Sequence, residues 1–197
     1  MTTAIELGIN RTWNGLTIGS EERACITLRP RRDGLGITAD APFHGDPAPP
    51  AEPGPCARLW SHEVVELFIV GGCLPETPDE ENPRQPCYTE LELSPHGHYL
   101  LLRLRGVRRI VEEQLPISYR AQIVGRRWRG EALLPWHLLP TPPHRVNAFA
   151  IHGTASSRRY LARTPVPGRE PDFHRLEYFE PLELGIEWGE RITRSRR

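Results

Sequence analysis

Two short segments, 63–70 and 88–93, carry glutamates that stand at alternate positions in the second, and these glutamates are the most chemically informative feature of the chain. The first segment contains Glu66, and the second contains Glu90 and Glu92. Residues two apart in a strand share one face of the sheet, so Glu90 and Glu92 are expected side by side. Neighbouring carboxylates can accept hydrogen bonds from hydroxyl groups, or transfer protons when one pKa is raised.

Aromatic and basic residues flank these glutamates and complete a candidate site for a polar ligand such as a sugar. Trp60 directly precedes the first segment, and its ring offers a flat apolar surface for stacking. We therefore expect Trp60 as the stacking platform, the three glutamates as hydrogen-bond acceptors and Arg103 as a donor. Further polar contacts are expected from His62, Asn147 and His152. Asn147 and His152 fall on opposite faces of their segment, so they are not expected to act together.

The same alternation also has a purely structural explanation. After the turn at 94–98, the segment 99–105 alternates between leucines at even positions and Tyr99, Leu101, Arg103 and Arg105 at odd positions. We expect the leucines on the apolar face and the arginines opposite the glutamates, where unlike charges contribute modestly to strand pairing. A face of this composition suits a ligand or a solvated surface.

Two other functions stay open at this point. One is an enzyme that uses Glu66 or Glu92 with His62, His96 or His174 as an acid/base set on a sugar-like substrate. The other is a scaffold whose Pro-rich loops bind a partner protein; it predicts an exposed apolar patch and no concave polar pocket.

Motifs for other chemistries are absent from the sequence. There is no Gly-x-Ser-x-Gly elbow, no GxGxxG and no P-loop, so neither a serine nucleophile nor a nucleotide cofactor is expected. His96-Gly97-His98 lacks further ligands at metal-binding spacing. We therefore expect no metal and no cofactor.

The composition of the chain indicates which binding partners and which cellular compartment to expect. The 197 residues contain 25 basic residues, all arginine, and 25 acidic ones, so the formal net charge is zero. This balance gives no steering toward nucleic acid, and no apolar run approaches the roughly 20 residues that span a bilayer. No signal peptide is recognisable, which predicts a cytoplasmic protein. Four cysteines without CxxC spacing are then expected as free thiols: Cys25, Cys56, Cys73 and Cys87.

Short alternating segments separated by Pro- and Gly-rich connections are typical of an all-β sandwich. We predict one domain over 1–197, with long Pro-rich loops at 40–57 and 71–86, the first of them mobile, and a flexible basic tail at 191–197. One helical turn is expected at 135–139. Strands are predicted at 5–9, 16–18, 24–29, 36–41, 64–70, 88–93, 99–105, 117–123, 126–135, 146–152 and 182–188.

Several ordered blocks resemble an uncharacterised protein family found in animals and bacteria. They are Leu59-Trp60-x-x-Glu63-Val64-Val65-Glu66-x-Phe68, Tyr88-x-Glu90-Leu91-Glu92-Leu93-Ser94-Pro95-His96-Gly97, and further matches in 115–120, 128–136, 147–153 and 165–179. That family is similar in turn to the family 9 carbohydrate-binding modules of the DOMON-like group.

The resemblance implies an immunoglobulin-like or jelly-roll-type β-sandwich with a ligand cleft on one sheet. Family 9 modules clamp a terminal sugar between two Trp rings, and Trp60 matches the Trp at the edge of the strand. The implied function is non-catalytic binding of a small polar ligand, a carbohydrate in the first instance.

Overall fold

Thirteen strands form two antiparallel sheets in the computed structural model, which describes residues 3–73 and 85–186. The strands are β1 (Ile5–Ile9), β2 (Arg11–Thr12), β3 (Ala24–Pro30), β4 (Gly34–Pro42), β5 (Val64–Gly71), β6 (Cys87–Leu93), β7 (Tyr99–Arg105), β8 (Ile110–Glu112), β9 (Ser118–Val124), β10 (Arg127–Pro135), β11 (Pro143–His152), β12 (Arg159–Ala162) and β13 (Glu180–Pro181). One sheet has the order β1-β3-β4-β10-β9. The other has the order β2-β12-β11-β5-β6-β7-β8, with β13 paired to β11. The predicted all-β sandwich is confirmed.

Helical structure in the described part of the chain is confined to single 3-10 turns. They are Ser20–Glu22, Leu59–Ser61, Trp136–Leu138, Ala155–Ser157 and Leu176–Tyr178. The turn at Trp136–Leu138 confirms the one predicted at 135–139. Within residues 3–73 and 85–186, no helix has the length and apolar character that a membrane crossing requires.

Most predicted strands are present within one or two residues of their expected ends. The segment 16–18 forms only an isolated bridge through Thr17, and 182–186 forms no strand; 187–188 lie outside the described residues. The strands that the prediction missed, β2, β8, β12 and β13, are two to four residues long. Alternation cannot be recognised over so few positions.

The main core lies between the two sheets. Alternate residues of β3 (Ala24, Ile26 and Leu28) point inward and are almost fully buried, as are Leu67 and Leu91 from the facing sheet. This is the period-2 pattern of a strand with one apolar face. Burial of these side chains gives the sandwich most of its stability.

A second core covers the outer face of the larger sheet, so this sheet is buried on both sides. Phe68 and Phe149 project outward from β5 and β11, and Phe173 from the C-terminal segment stacks on Phe149 with ring centroids 3.9 Å apart. Every residue of β5 is buried, which explains its nearly continuous apolar sequence. The C-terminal segment 164–181 thus packs where a solvated sheet face was expected.

The predicted pairing of glutamates with arginines is wrong. Leu93 lies opposite Tyr99, so Glu92 faces Leu100, Glu90 faces Leu102 and Thr89 faces Arg103. The turn between β6 and β7 has five residues, and the turn length sets the register. The glutamates therefore share the face of the leucines, whereas Arg103 lies on the opposite face and forms an ion pair with Glu112.

The first Pro-rich loop is held in place, in contrast to the mobile loop expected at 40–57. The buried carboxylate of Glu63 accepts hydrogen bonds from the backbone N–H groups of His44 and Asp46, at 3.0 and 3.3 Å. Further along, Cys56 and Tyr99 form a backbone hydrogen bond of 2.8 Å. Most of the second loop, 74–84, and the tail at 191–197 lie outside the described residues.

Two of the four cysteines form a disulfide, which corrects the expectation that all are free thiols. Cys73 and Cys87 are bonded, with their Cα atoms 5.2 Å apart. Their spacing of 14 residues matches no motif, so this proximity could not be predicted from the sequence. Cys25 and Cys56 are free and partly buried, and burial raises the pKa of both thiols.

Truncation of the inner core should destabilise the protein strongly. Leu67 is 1% exposed at the centre of β5, so Leu67→Ala should lower the free energy of unfolding by about 2–5 kcal/mol in a urea titration. Leu16 is 65% exposed, and Leu16→Ala should change it by less than about 0.5 kcal/mol. Equal midpoints for the two variants would contradict this assignment of the core.

Candidate functional site

Three glutamates meet on the outer face of the larger sheet. Glu66 on β5 lies directly opposite Glu92 on β6, and Glu90 lies two residues from Glu92 on the same face. Glu66, Glu90 and Glu92 are 2%, 4% and 0% exposed. Alternation in the strands places them together, and the C-terminal segment buries them.

Close hydrogen-bond donors for these carboxyls are missing in the described part of the chain. Glu90 Oε2 and both carboxyl oxygens of Glu92 are buried without a close hydrogen-bond donor among the described residues. The polar groups nearest to them are each other's carboxyls and the backbone N–H of Trp60, which acts to lower the pKa of Glu92. No arginine forms an ion pair with Glu66, Glu90 or Glu92 among residues 3–73 and 85–186. Buried charges are normally paired. These carboxyls are therefore either protonated or neutralised by a group that binds to them.

A cleft of about 320 Å³ opens above this cluster. Glu66 and Glu90 lie at its base, and aromatic and aliphatic side chains form its walls. The remaining lining residues are Trp60, Phe68, Leu102, Leu104, Arg108, Ile110, Ile151, Tyr160, Pro171, Phe173 and His174. Apolar walls around a few polar groups are the usual composition of a small-molecule site.

Trp60 forms one rim of the cleft and is held there by Arg158. The residue sits in the 3-10 turn Leu59–Ser61 and is 40% exposed. The guanidinium of Arg158 donates hydrogen bonds to the backbone carbonyls of Trp60 and Ser61, and also to that of Gly153. A fork of fixed donors suits this role, because one side chain can fix several carbonyls at once.

A hydrogen-bonded chain connects the cleft to the turn after β7. The N–H of Arg108 donates to the Tyr88 hydroxyl at 2.9 Å, and this hydroxyl lies 2.8 Å from His174 Nδ1. His174 Nε2 lies 3.8 Å from Glu90 Oε2. Because the Tyr88 oxygen accepts from Arg108, we assign its own proton to the bond with Nδ1, which leaves Nε2 protonated toward Glu90.

Burial raises the pKa of all three glutamates. The pKa of Glu90 rises to about 7, although contact with Glu92 and the charge of Arg108 act in the opposite direction. Burial is also the main cause for Glu66 and Glu92, where neighbouring glutamates add repulsion and raise both pKa values well above the ordinary range. At neutral pH the cluster therefore holds protons.

The pKa values of two neighbours of Glu90 are also shifted, so that each side chain stays neutral near pH 7. Burial and the charge of Arg108 lower the pKa of His174 to about 4, and burial raises the pKa of Tyr88 to about 12. Neutral His174 is consistent with its role as hydrogen-bond acceptor from Tyr88. Arg108 itself is paired with Asp172 at 2.8 Å.

The structure brings together Trp60, Glu66, Glu90 and Glu92 and places the other predicted site residues elsewhere. Arg103 lies on the inner face with Glu112, as described above. Asn147 is fully buried on the outer face, but its amide bonds to the backbone of Thr164 and Ala148 and does not line the cleft. His62 is partly exposed and its Nδ1 lies 3.2 Å from the carbonyl of Pro47.

His152 belongs to a different cluster at the end of the sandwich. Its ring stacks on His44 at 3.5 Å between centroids, and its Nε2 lies 3.5 Å from Glu22. Burial, and secondly the neighbouring His44, lowers the pKa of His152 to about 4. The opposite orientation of Asn147 and His152 along β11 agrees with the sequence-based expectation.

Several cleft residues were missed as ligand contacts: Arg108, Tyr160 and Phe173. They lie in turns or very short strands that pack over the sheet, where no local periodicity indicates which side chains meet. His174 was named only as a candidate acid or base. Its block, 171–179, matched the family resemblance, and that was the one available signal for this part of the cleft.

Metal sites in proteins have a characteristic geometry, with several His, Cys, Asp or Glu side chains around one ion. Among residues 3–73 and 85–186, no group of three or more His, Cys, Asp or Glu side chains is arranged to hold a metal ion. The three glutamates lie along adjacent strands, whereas metal ligands converge on one point.

The fold is a two-sheet antiparallel β-sandwich that a solved structure shares. It is similar to the crystal structure of a candidate carbohydrate-binding protein from Bacteroides uniformis, with a TM-score of 0.62 over 91% of this chain and 85% of that one. The two sequences are 13% identical, so this likeness concerns the fold alone.

Sequence comparison assigns the family. No protein-family model matches the chain. It is 39% identical over 196 residues to the UPF0462 protein C4orf33 homolog of Mus musculus, covering 93% of this chain and 96% of that protein. The human protein C4orf33 is 38% identical over 196 residues, covering 93% and 92%, and the Danio rerio homolog is 39% identical over 190 residues, covering 92% and 90%. The chain belongs to the UPF0462 family, which confirms the resemblance to an uncharacterised family.

Replacing Glu92 should change how the stability of the protein depends on pH. An unfolded glutamate loses its proton near pH 4.5, whereas native Glu92 keeps its proton to a higher pH. The free energy of unfolding of the wild type therefore falls as the pH rises from 4.5 toward the pKa of native Glu92. Glutamine cannot ionise. The effect of Glu92→Gln on the free energy of unfolding should therefore shift in the stabilising direction between pH 4 and pH 8.

The comparison is made by urea unfolding at both pH values, and contributions from His152 and His174 cancel because both proteins contain them. Glu112→Gln, on an exposed carboxylate paired with Arg103, is the control and should shift by less than about 0.5 kcal/mol. A pH-independent effect of Glu92→Gln would show that Glu92 is ionised in the native protein.

Proposed function

We propose that this protein is a carbohydrate-binding-module-like domain that binds a small polar ligand, a carbohydrate, in the cleft above Glu66 and Glu90, without catalysis of its own. The observation that carries the proposal is the pair of buried carboxyls at the base of a cleft walled by Trp60 and Tyr160. Hydroxyl groups of a sugar would supply the missing hydrogen bonds, and the C–H faces of its ring would pack on the aromatic walls.

The class of fold supports the same proposal. A similar sandwich in Bacteroides uniformis is itself a candidate carbohydrate-binding protein. The scaffold hypothesis predicts no concave polar pocket, and the cleft is such a pocket. As part of the proposal, the whole chain acts as one domain in the cytoplasm. The Cys73–Cys87 bond is evidence against this location, because stable disulfides are typical of oxidising compartments and rare in the cytosol.

Removal of the Trp60 ring should weaken ligand binding. Wild type and Trp60→Ala are screened by thermal shift against monosaccharides and oligosaccharides, and positive compounds are titrated by calorimetry. Loss of the stacking surface should lower the affinity at least about tenfold. Val124→Ala, an equally simple truncation at a residue 68% exposed on the other sheet, should leave affinity unchanged. Equal affinity for Trp60→Ala would contradict this placement of the site.

A second candidate function is supported by the chain from Tyr88 through His174 to Glu90. A carboxyl with a pKa of about 7 next to a neutral imidazole is suited to general acid/base catalysis. The cleft would then belong to an enzyme acting on a sugar-like substrate. No arginine pairs with Glu66 or Glu90 in the described residues, so the feature that would exclude this alternative is absent there.

Binding and turnover separate the two functions. A ligand from the screen is incubated with the protein, and products are sought by mass spectrometry. If the cleft only binds, the ligand is recovered intact from wild type and His174→Gln alike. Conversion by wild type that is lost in His174→Gln, with binding retained, would establish the enzyme and overturn the non-catalytic proposal.

A further inference from the structure

Within residues 3–73 and 85–186, no positively charged side chain pairs with the carboxyl cluster, although cations are close by. Arg108 lines the cleft, but its guanidinium is engaged with Asp172. Arg158 lies near enough to lower the pKa of Glu66, but its donors are directed at the backbone carbonyls of 60–62 and of Gly153. His174 is neutral because burial and the charge of Arg108 lower its pKa to about 4. The nearby cations are thus occupied, and the charge balance at the base of the cleft is left to protons or to a ligand.

The part of the cluster that borders the cleft is suited to binding a ligand. Glu90 is only 4% exposed, lines the cleft and leaves Oε2 without a hydrogen-bond donor in the described residues. A neutral sugar hydroxyl can donate one hydrogen bond to this oxygen. A protonated amine donates up to three hydrogen bonds and also carries a positive charge. It can therefore supply both the hydrogen-bond donor and the cation that an ionised Glu90 would need.

The walls suit the same kind of group. Trp60, Phe68, Tyr160 and Phe173 present aromatic rings to the cleft. Aromatic faces attract ammonium groups, and the attraction increases when water is excluded. Arg158 already lies over the ring of Tyr160, with its guanidinium carbon 5.9 Å from the ring centre. At the rim of the cleft, a cation therefore already lies over an aromatic ring.

We propose that the ligand is a protonated amine of sugar size, an amino sugar or a related aminated polyol, whose ammonium group binds Glu66 and Glu90. This inference rests on the proposed function, since it names the chemical class of the ligand at the same cleft. Seating the ammonium requires Glu90 to release its proton, so each binding event returns a proton to the solvent below about pH 7. A neutral sugar binds without this release.

The ionisable groups around Glu90 determine how the affinity changes with pH. From its own strand these are Glu92 and Tyr88, and from the neighbouring strand Glu66. Over the cleft they are Arg108, Asp172, His174 and Arg158. Tyr88 and His174 are neutral and Arg108 is matched by Asp172. Ionisation of the glutamates therefore dominates between pH 5 and 7, and affinity for the protonated amine rises with pH across that range.

The test compares three aminated sugars with their parents. Glucosamine, galactosamine and mannosamine are titrated calorimetrically into the full-length protein at pH 7, beside glucose, galactose, mannose and N-acetylglucosamine. At least one amine should bind ten times more tightly or better than both its parent sugar and the acetylated form. Titration in two buffers of different ionisation enthalpy should show proton release with the amine alone.

Matched variants identify the carboxyls responsible. Glu90→Gln should reduce the preference for the amine to less than threefold, while Glu112→Gln on the other face should retain it. Glutamine replaces the protonated form that Glu90 already holds, so folding is expected to survive. Thermal melting verifies this, and Glu66→Gln serves as the second variant if Glu90→Gln does not fold.

The outcomes are distinct. Neutral sugars that bind as tightly as their amines would overturn the amine proposal and leave the proposed function standing. An amine preference that persists in both glutamine variants would also overturn it, because the cation would then bind elsewhere. Failure of every sugar in the panel to bind would overturn the proposed function and the amine proposal with it.

Discussion

Three carboxyls are buried side by side, and no cation in the described part of the chain is paired with them; this constraint explains most features of the site. Glu66, Glu90 and Glu92 occupy one patch of a sheet that is covered on both faces. Three ionised carboxylates at that spacing would repel one another in a medium of low polarity. The native protein accommodates them by keeping protons on the cluster. This arrangement costs stability above the pH at which unfolded glutamates ionise, and such costs are concentrated at functional sites.

The rest of the architecture maintains this cluster. The inner core fixes the register of β5, β6 and β11, so that alternate residues are directed outward at defined positions. The outer core, with Phe149 and Phe173 stacked, fastens the C-terminal segment over the sheet and excludes water from the glutamates. Arg158 holds the turn that carries Trp60. The cleft therefore lies between rigid strands below and short irregular segments above, which is a common location for binding sites.

The sequence predicted the fold better than the site, for identifiable physical reasons. Strands such as β1 and β7 were predicted to the residue because alternation extends over five positions or more. Trp60, Glu66, Glu90 and Glu92 were also correctly brought together, since the same alternation determines which residues share a face. Arg103 was placed wrongly because the register across a five-residue turn inverts the expected face. Phe173 and Tyr160 were missed because contacts over long sequence separation, made by short segments, leave no periodic pattern.

The protonation of Glu90 in the ligand-free protein is the central claim and can be measured directly. Carbon-13 labelled glutamate would be incorporated and the side-chain carboxyl shifts followed by NMR from pH 3 to 9, with Glu90→Gln to assign the resonance. Glu90 is expected to titrate with a midpoint near 7, well above the ordinary range of an exposed glutamate. A Glu90 carboxyl that titrates near 4.5, like an exposed glutamate, would contradict the buried, partnerless cluster on which the proposed site is built.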